Sequence, residues 1–86
     1  MNQFKVIFLS PGEIVFDGEA WQVSATNIEG KFSIRANHQN FFTTLKSGIV
    51  EIAADPQNRT RWKISSGILE FSSNTCNIIC DSFSEE

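Results

Sequence analysis

The chain has no long hydrophobic run. Its longest uncharged apolar stretch is Val6-Ile7-Phe8-Leu9, whereas a membrane-spanning helix needs roughly 20 apolar residues, so a helical span is excluded. That stretch follows Lys5 but is too short for a signal peptide and has no small-residue cleavage site after it, so the chain is expected to stay in the cytosolic compartment. Apolar helix formers are also scarce. Ala, Leu and Met together number nine, and no segment sustains an i, i+3, i+4, i+7 apolar pattern. Basic residues are few: seven Lys and Arg stand against ten acids, for a net charge of −3. Only Arg59, Arg61 and Lys63 cluster. Phosphate neutralisation supplies most of the affinity of a nucleic-acid binder, so the cluster is read as a solvated strand face and no nucleic-acid partner is expected.

Site chemistry is equally sparse. There is no Walker-type phosphate loop and no GxGxxG. Ser65-Ser66-Gly67 lacks the glycine two residues before the serine that a nucleophile elbow requires. His38 is the only histidine. With Cys76 and Cys80 it makes at most three ligands from unrelated elements, so no metal and no cofactor is expected. The two cysteines fall in one strand pattern with their Cα atoms roughly 13 Å apart, too far for a disulfide. They point the same way as Ile78 and read as small core hydrophobes.

What the chain does have is sheet-forming residues. Ten Ile, four Val, five Thr, eight Phe and two Trp occupy 29 of 86 positions, and branched and aromatic side chains suit a pleated surface. Period-two alternation recurs. Phe32 and Ile34 share one face, as do Trp62 and Ile64, Trp21 with Val23 and Ala25, and Val50 with Ile52 and Ala54. Phe4 to Leu9 is apolar on both faces apart from Lys5, which predicts a strand deep between layers. Turn signals at Pro11-Gly12, Asp17-Gly18, Glu29-Gly30, Ser47-Gly48, Asp55 to Asn58 and Ser72 to Asn74 separate the runs. The expected strands are 4–10, 13–16, 19–26, 31–36, 42–45, 48–54, 60–65, 68–72 and 75–81, with Asp17-Gly18 closing a hairpin. The fold class is all-β: one domain over 1–86, a two-sheet antiparallel β-sandwich of nine or ten short strands, flattened and barrel-like. Between two of these strands lies the polar loop around His38. Phe41-Phe42 follows it, and adjacent strand residues face opposite ways, so one Phe belongs to the core and the other to the surface.

The order of these motifs resembles the epsilon subunit of F-type ATP synthases across nearly the whole chain. Asn27 to His38 is similar to that family's segment with Glu-Gly, an apolar-x-Ile step and a closing His. Phe41-Phe42-Thr43-Thr44-Leu45-Lys46-Ser47-Gly48 resembles its next strand, and Ser65-Ser66-Gly67-Ile68-Leu69-Glu70-Phe71 its Ser-Gly-Gly-hydrophobic-Leu-Glu strand. Phe4 to Leu9, Ser10-Pro11-Gly12 and Val15-Phe16-Asp17-Gly18 fall in the same order. Departures occur at Ser33, at Ala36-Asn37 and at Ser66, where the family usually has Gly, Pro-Gly and Gly.

The resemblance implies a sandwich of two five-stranded sheets acting as a non-catalytic foot on the rotating central stalk. Such a foot grips the gamma subunit and touches the c subunits of the membrane rotor ring, coupling ion translocation to ATP synthesis or hydrolysis. It also implies a peripheral place on the cytoplasmic face of a bacterial inner membrane. Glu29, Gly30, Lys31 and His38 match the ring-facing edge; Ser10, Phe42 and Thr43 match the gamma-facing side. The chain ends at Glu86, before the family's two-helix domain, and is expected to lack that inhibitory arm. Two other readings compete. A free-standing sandwich binding a ligand or carbohydrate would use Trp21 or Trp62 as a stacking platform, and a small hydrolase would need a base–nucleophile pair around His38. The rotor reading carries a structural expectation of its own: an apolar patch on one face of the sandwich.

Overall fold

Strand β1 (Phe4–Ser10) alternates Phe4, Val6 and Phe8 inward, each at most 2% exposed, against outward Lys5, Ile7 and Leu9. Nine more strands follow, β2 (Glu13–Ala20), β3 (Gln22–Asn27), β4 (Gly30–Arg35), β5 (Phe41–Leu45), β6 (Gly48–Ala53), β7 (Arg59–Ile64), β8 (Gly67–Ser72), β9 (Thr75–Cys80) and β10 (Phe83–Glu85), and the alternation is clearest in β4, β5, β7, β8 and β9. These elements come from a computed structural model that describes residues 2–86; Met1 lies outside the described residues. Among the described residues there is no helix. The strands form two sheets of five. Sheet one has the order β2-β1-β9-β8-β5, and sheet two β10-β7-β6-β3-β4.

The all-β sandwich expected from the alternation is thus present. Its core is aromatic where the sheets meet. Phe8 and Phe16 stand edge-on to Trp62, at 5.4 and 6.1 Å between ring centres, and Phe4 stands edge-on to Phe71 at 5.5 Å. Such geometry adds attraction beyond the area buried.

Ala54, expected inward with Val50 and Ile52, is exposed past the end of β6, and four larger details differ from the sequence expectation. First, Asp17-Gly18 is not a turn. β2 continues through it to Ala20, with Gly18 opposite Val6 and Asp17 opposite Ile7. The ladder to β1 keeps both residues extended, Lys5 pairs with Asp17 at 3.5 Å, and the Phe16 ring covers the open space at Gly18. The chain instead leaves sheet one at Trp21, whose N–H donates to Ala53 O at 2.8 Å. Second, β1 runs parallel to β9, so sheet one is mixed rather than wholly antiparallel. Alternation is blind to strand direction, and direction is set by which sheet the chain returns to. Third, the outward side of β1 is half-buried rather than enclosed. Fourth, β10 is an added short strand opposite Trp62 to Ile64; with Phe83 as its one apolar residue it carries no alternation of its own.

Cys76 and Cys80 are free, buried and on the same side as Ile78, as the spacing predicts. Burial pushes the Cys76 thiol up to about 12. Burial, with the nearby Asp81 charge, raises Cys80 as well. Only thiolate attacks a disulfide reagent. Neither thiol should therefore react with Ellman's reagent at about pH 8 in the native chain, and both should react in urea; fast native labelling of either would contradict this packing.

Candidate functional site

The β3–β4 hairpin presents the first candidate surface. Asn27 Oδ1 accepts the Glu29 N–H at 2.9 Å, and Asn27 Nδ2 donates to Thr43 Oγ1 at 3.2 Å, which ties the hairpin to β5. Gly30 has φ +118°, a conformation that L side chains rarely adopt. The turn therefore pushes Ile28 into solvent, 83% exposed. From this tip an open groove of about 300 Å³ extends between β4 and β5, and Glu29, Gly30, Lys31 and His38 all line it. These four candidates are brought together as a group. Phe32 and Phe41 form the apolar wall, edge-on at 5.5 Å. The His38 ring leans on Phe41 and Phe71, 5.8 Å from each, and its Nδ1–H donates to Gln39 O at 2.7 Å. That bond engages a backbone carbonyl, not the hydroxyl or thiol that a base–nucleophile pair needs.

The second surface is the outer face of sheet one. Residues paired across its ladders form a row: Ile14 opposite Leu9, Leu9 opposite Ile79, Ile79 opposite Ile68. Ile14, Ile79 and Ile68 are 64, 47 and 38% exposed. The neighbouring row carries Ile7, Asn77, Glu70 and Phe42, and Phe42 is 64% exposed. The result is an apolar strip across β2, β1, β9 and β8, continued diagonally by Phe42 on β5 and bordered by Asp17, Asn77 and Glu70, the feature expected of a covered surface. The sequence holds a signal for it that singles out no residue alone: Ile68-Leu69 and Ile78-Ile79 are apolar pairs in strands, and one member of each must face outward.

The three residues matched to the gamma-facing side are dispersed. Phe42 lies on this strip. Thr43 takes the opposite, inward register beside Leu69 and is half-buried, where it holds the Asn27 amide. Ser10 ends β1 opposite Glu13, with β9 and β8 between it and β5. Neither tryptophan offers a bare platform. Trp62 is 6% exposed in the core, and the Arg35 and Arg59 guanidinium carbons lie 4.1 and 5.9 Å from the Trp21 ring centre.

The outer face of sheet two is polar. Glu51 is buried there, its Oε1 accepting from Arg59 Nη1 at 2.9 Å and its Oε2 from Arg61 Nε at 2.7 Å. Burial alone would raise the Glu51 carboxyl, but the hydrogen bonds and charges of Arg59 and Arg61 outweigh it and hold the group below its ordinary 4.5. A lowered carboxyl stabilises the fold above the ordinary value, and that contribution disappears as pH falls through the lowered one. Glu51→Gln should therefore destabilise the chain by about 1 kcal/mol at neutral pH. It should also show a shallower loss of thermal stability than wild type as pH drops below about 4.5. Parallel acid profiles for the two would show that the clamp stores no such energy.

Two five-stranded sheets with an exposed apolar strip on one face and a groove at one edge define a small β-sandwich domain with surfaces shaped for association. The β-sandwich domain of ATP synthase delta and epsilon chains matches residues 3–86. The ATP synthase epsilon chain of Wolbachia pipientis is 34% identical over 79 residues, covering 92% of this chain and 69% of its own length. An ATP synthase epsilon chain of Nitrobacter hamburgensis is 36% identical over 84 residues, covering 98% of this chain and 61% of its own. In fold, a chain of the mitochondrial ATP synthase of Euglena gracilis superposes with a TM-score of 0.90 at 16% identity, over 96% of this chain and 53% of that one. The chain belongs to the ATP synthase delta/epsilon family, as an epsilon-type β-sandwich.

Proposed function

We propose that the chain is a non-catalytic rotor subunit of the central stalk of a bacterial F-type ATP synthase. It binds the gamma subunit and the c subunits of the rotor ring, and so passes torque between ring and shaft at the cytoplasmic side of the membrane. The observation that carries this reading is the apolar strip on sheet one, where Ile14, Ile68, Ile79 and Phe42 stand exposed in an epsilon-type sandwich. Gamma is assigned to that strip through Phe42 and its neighbours Ile68 and Ile79, with Ser10 at the far end of the sheet and Thr43 supporting β5 from inside. The ring loops are assigned to the groove of Glu29, Gly30, Lys31 and His38, with Ile28 at its tip. An 86-residue sandwich has a small core, so a bound partner should raise its apparent stability.

Co-expression with the gamma subunit of the same genome, followed by size-exclusion chromatography, tests the reading: a one-to-one complex is expected, and clean separation at micromolar concentration would remove it. The ring contact has its own check. Ile28→Asp should leave thermal unfolding unchanged, since the side chain is 83% exposed, and should weaken binding of the gamma complex to purified rotor ring about tenfold, or 1.4 kcal/mol.

A further inference from the structure

The outer face of sheet two carries a charge pattern that the rotor reading uses only at Lys31, which borders the ring groove as well. Lys31 and Arg35 lie on the outward side of β4, and Arg59, Arg61 and Lys63 on the outward side of β7. Five of the seven basic residues thus share one face of an acidic protein. The acid within that face, Glu51, is buried and already taken by Arg59 and Arg61. Glu86 sits at the rim, where its N–H donates to Arg61 O at 3.0 Å. Between the two basic columns a hollow of about 300 Å³ opens, lined by Lys31, Arg61, Ser24, Thr26 and Ile49, with the arginine-paired Glu51 carboxylate also in its wall.

The guanidinium groups are held rather than free. Arg61 Nε is fixed on Glu51, and Arg35 Nε donates to Gln22 Oε1 at 2.8 Å while the group lies 4.1 Å over Trp21. No described residue takes the terminal nitrogens of Arg35 or Arg61, which leaves forked donors in fixed positions. A fixed fork suits a carboxylate, which it meets with two parallel hydrogen bonds. Along β7 the side chains of residues 59, 61 and 63 recur at roughly 6.6 Å, the same-face spacing of any extended strand.

We propose that this face is a docking surface for an extended acidic segment of a partner polypeptide, with carboxylates at alternate residues on the Arg59–Arg61–Lys63 column and small side chains over Ile49 and the hollow. Charge complementarity selects the occupant, because the net charge of −3 repels polyanions from the rest of the chain. Fixed spacing and a concave floor suit a polypeptide; a fluid layer of anionic lipid headgroups would use neither.

The test uses the full 86-residue chain and a fluorescein-labelled peptide of alternating Glu and Thr, followed by anisotropy at low and high salt. Sedimentation with phosphatidylglycerol vesicles runs in parallel. Saturable peptide binding is expected, weakening with salt, with the Lys31→Glu/Lys63→Glu variant at least about tenfold weaker at unchanged thermal stability. Binding that survives the double substitution, sedimentation with vesicles without peptide binding, or no binding to either probe would each overturn the proposal.

Discussion

Gly67→Ala should destabilise the chain by about 3 kcal/mol or more. A Cβ at Gly67 would collide with Ile79 O and lie 3.1 Å from Cys80 Cα and 3.2 Å from Ile79 C. All three are backbone atoms of β9, the strand that pairs with β8 in the middle of sheet one. No rotamer relieves such a contact; the two strands must separate, and with them Leu69, Phe71 and Ile78 lose their packing. Domains of this size are stable by roughly 4–13 kcal/mol, so the loss takes a large share, and the midpoint of thermal unfolding should fall by roughly 12–24 °C. Gly18→Ala is the control. Its nearest neighbour is a side-chain atom of Phe16 at 3.4 Å, an ordinary contact, and the change should be close to neutral. Equal effects at the two glycines would mean that the β8–β9 approach is looser than the structure has it.

Phe42→Glu has the largest expected effect on association. The side chain is 64% exposed and lies beside outward-facing Glu70, so the substitution removes no core contact and leaves stability nearly unchanged. Bound to gamma, it would place a second carboxylate in an apolar interface, where an unpaired charge is costly. Affinity should fall at least about 100-fold, or 2.7 kcal/mol.

The sandwich itself was legible because alternation survives in most strands. Phe32 and Ile34, or Trp62 and Ile64, announce an inner face without any knowledge of their partners. The inward set of Cys76, Ile78 and Cys80 follows from the same period, and so does the split of Phe41 from Phe42. Where the reading failed, a tertiary contact overrode a local signal. Asp17-Gly18 favours a tight turn, but its ladder to β1 keeps it straight. The parallel β1–β9 pairing depends on how the chain shuttles between sheets, which no strand records. The candidate surfaces divide the same way. Glu29, Gly30, Lys31 and His38 come together because a hairpin and the loop after β4 border one groove. The row from Ile14 through Leu9 and Ile79 to Ile68 joins three distant segments, and the register that aligns them exists only in the folded sheet.

Sheet one, through its apolar strip, is the proposed gamma-binding face. Calorimetric titration of gamma with the wild-type chain, Phe42→Glu and Lys63→Glu tests it most directly. Tight one-to-one binding is expected for wild type and for Lys63→Glu, whose change lies on the opposite face, and loss of binding for Phe42→Glu at an unchanged unfolding midpoint. Full affinity in Phe42→Glu would contradict it.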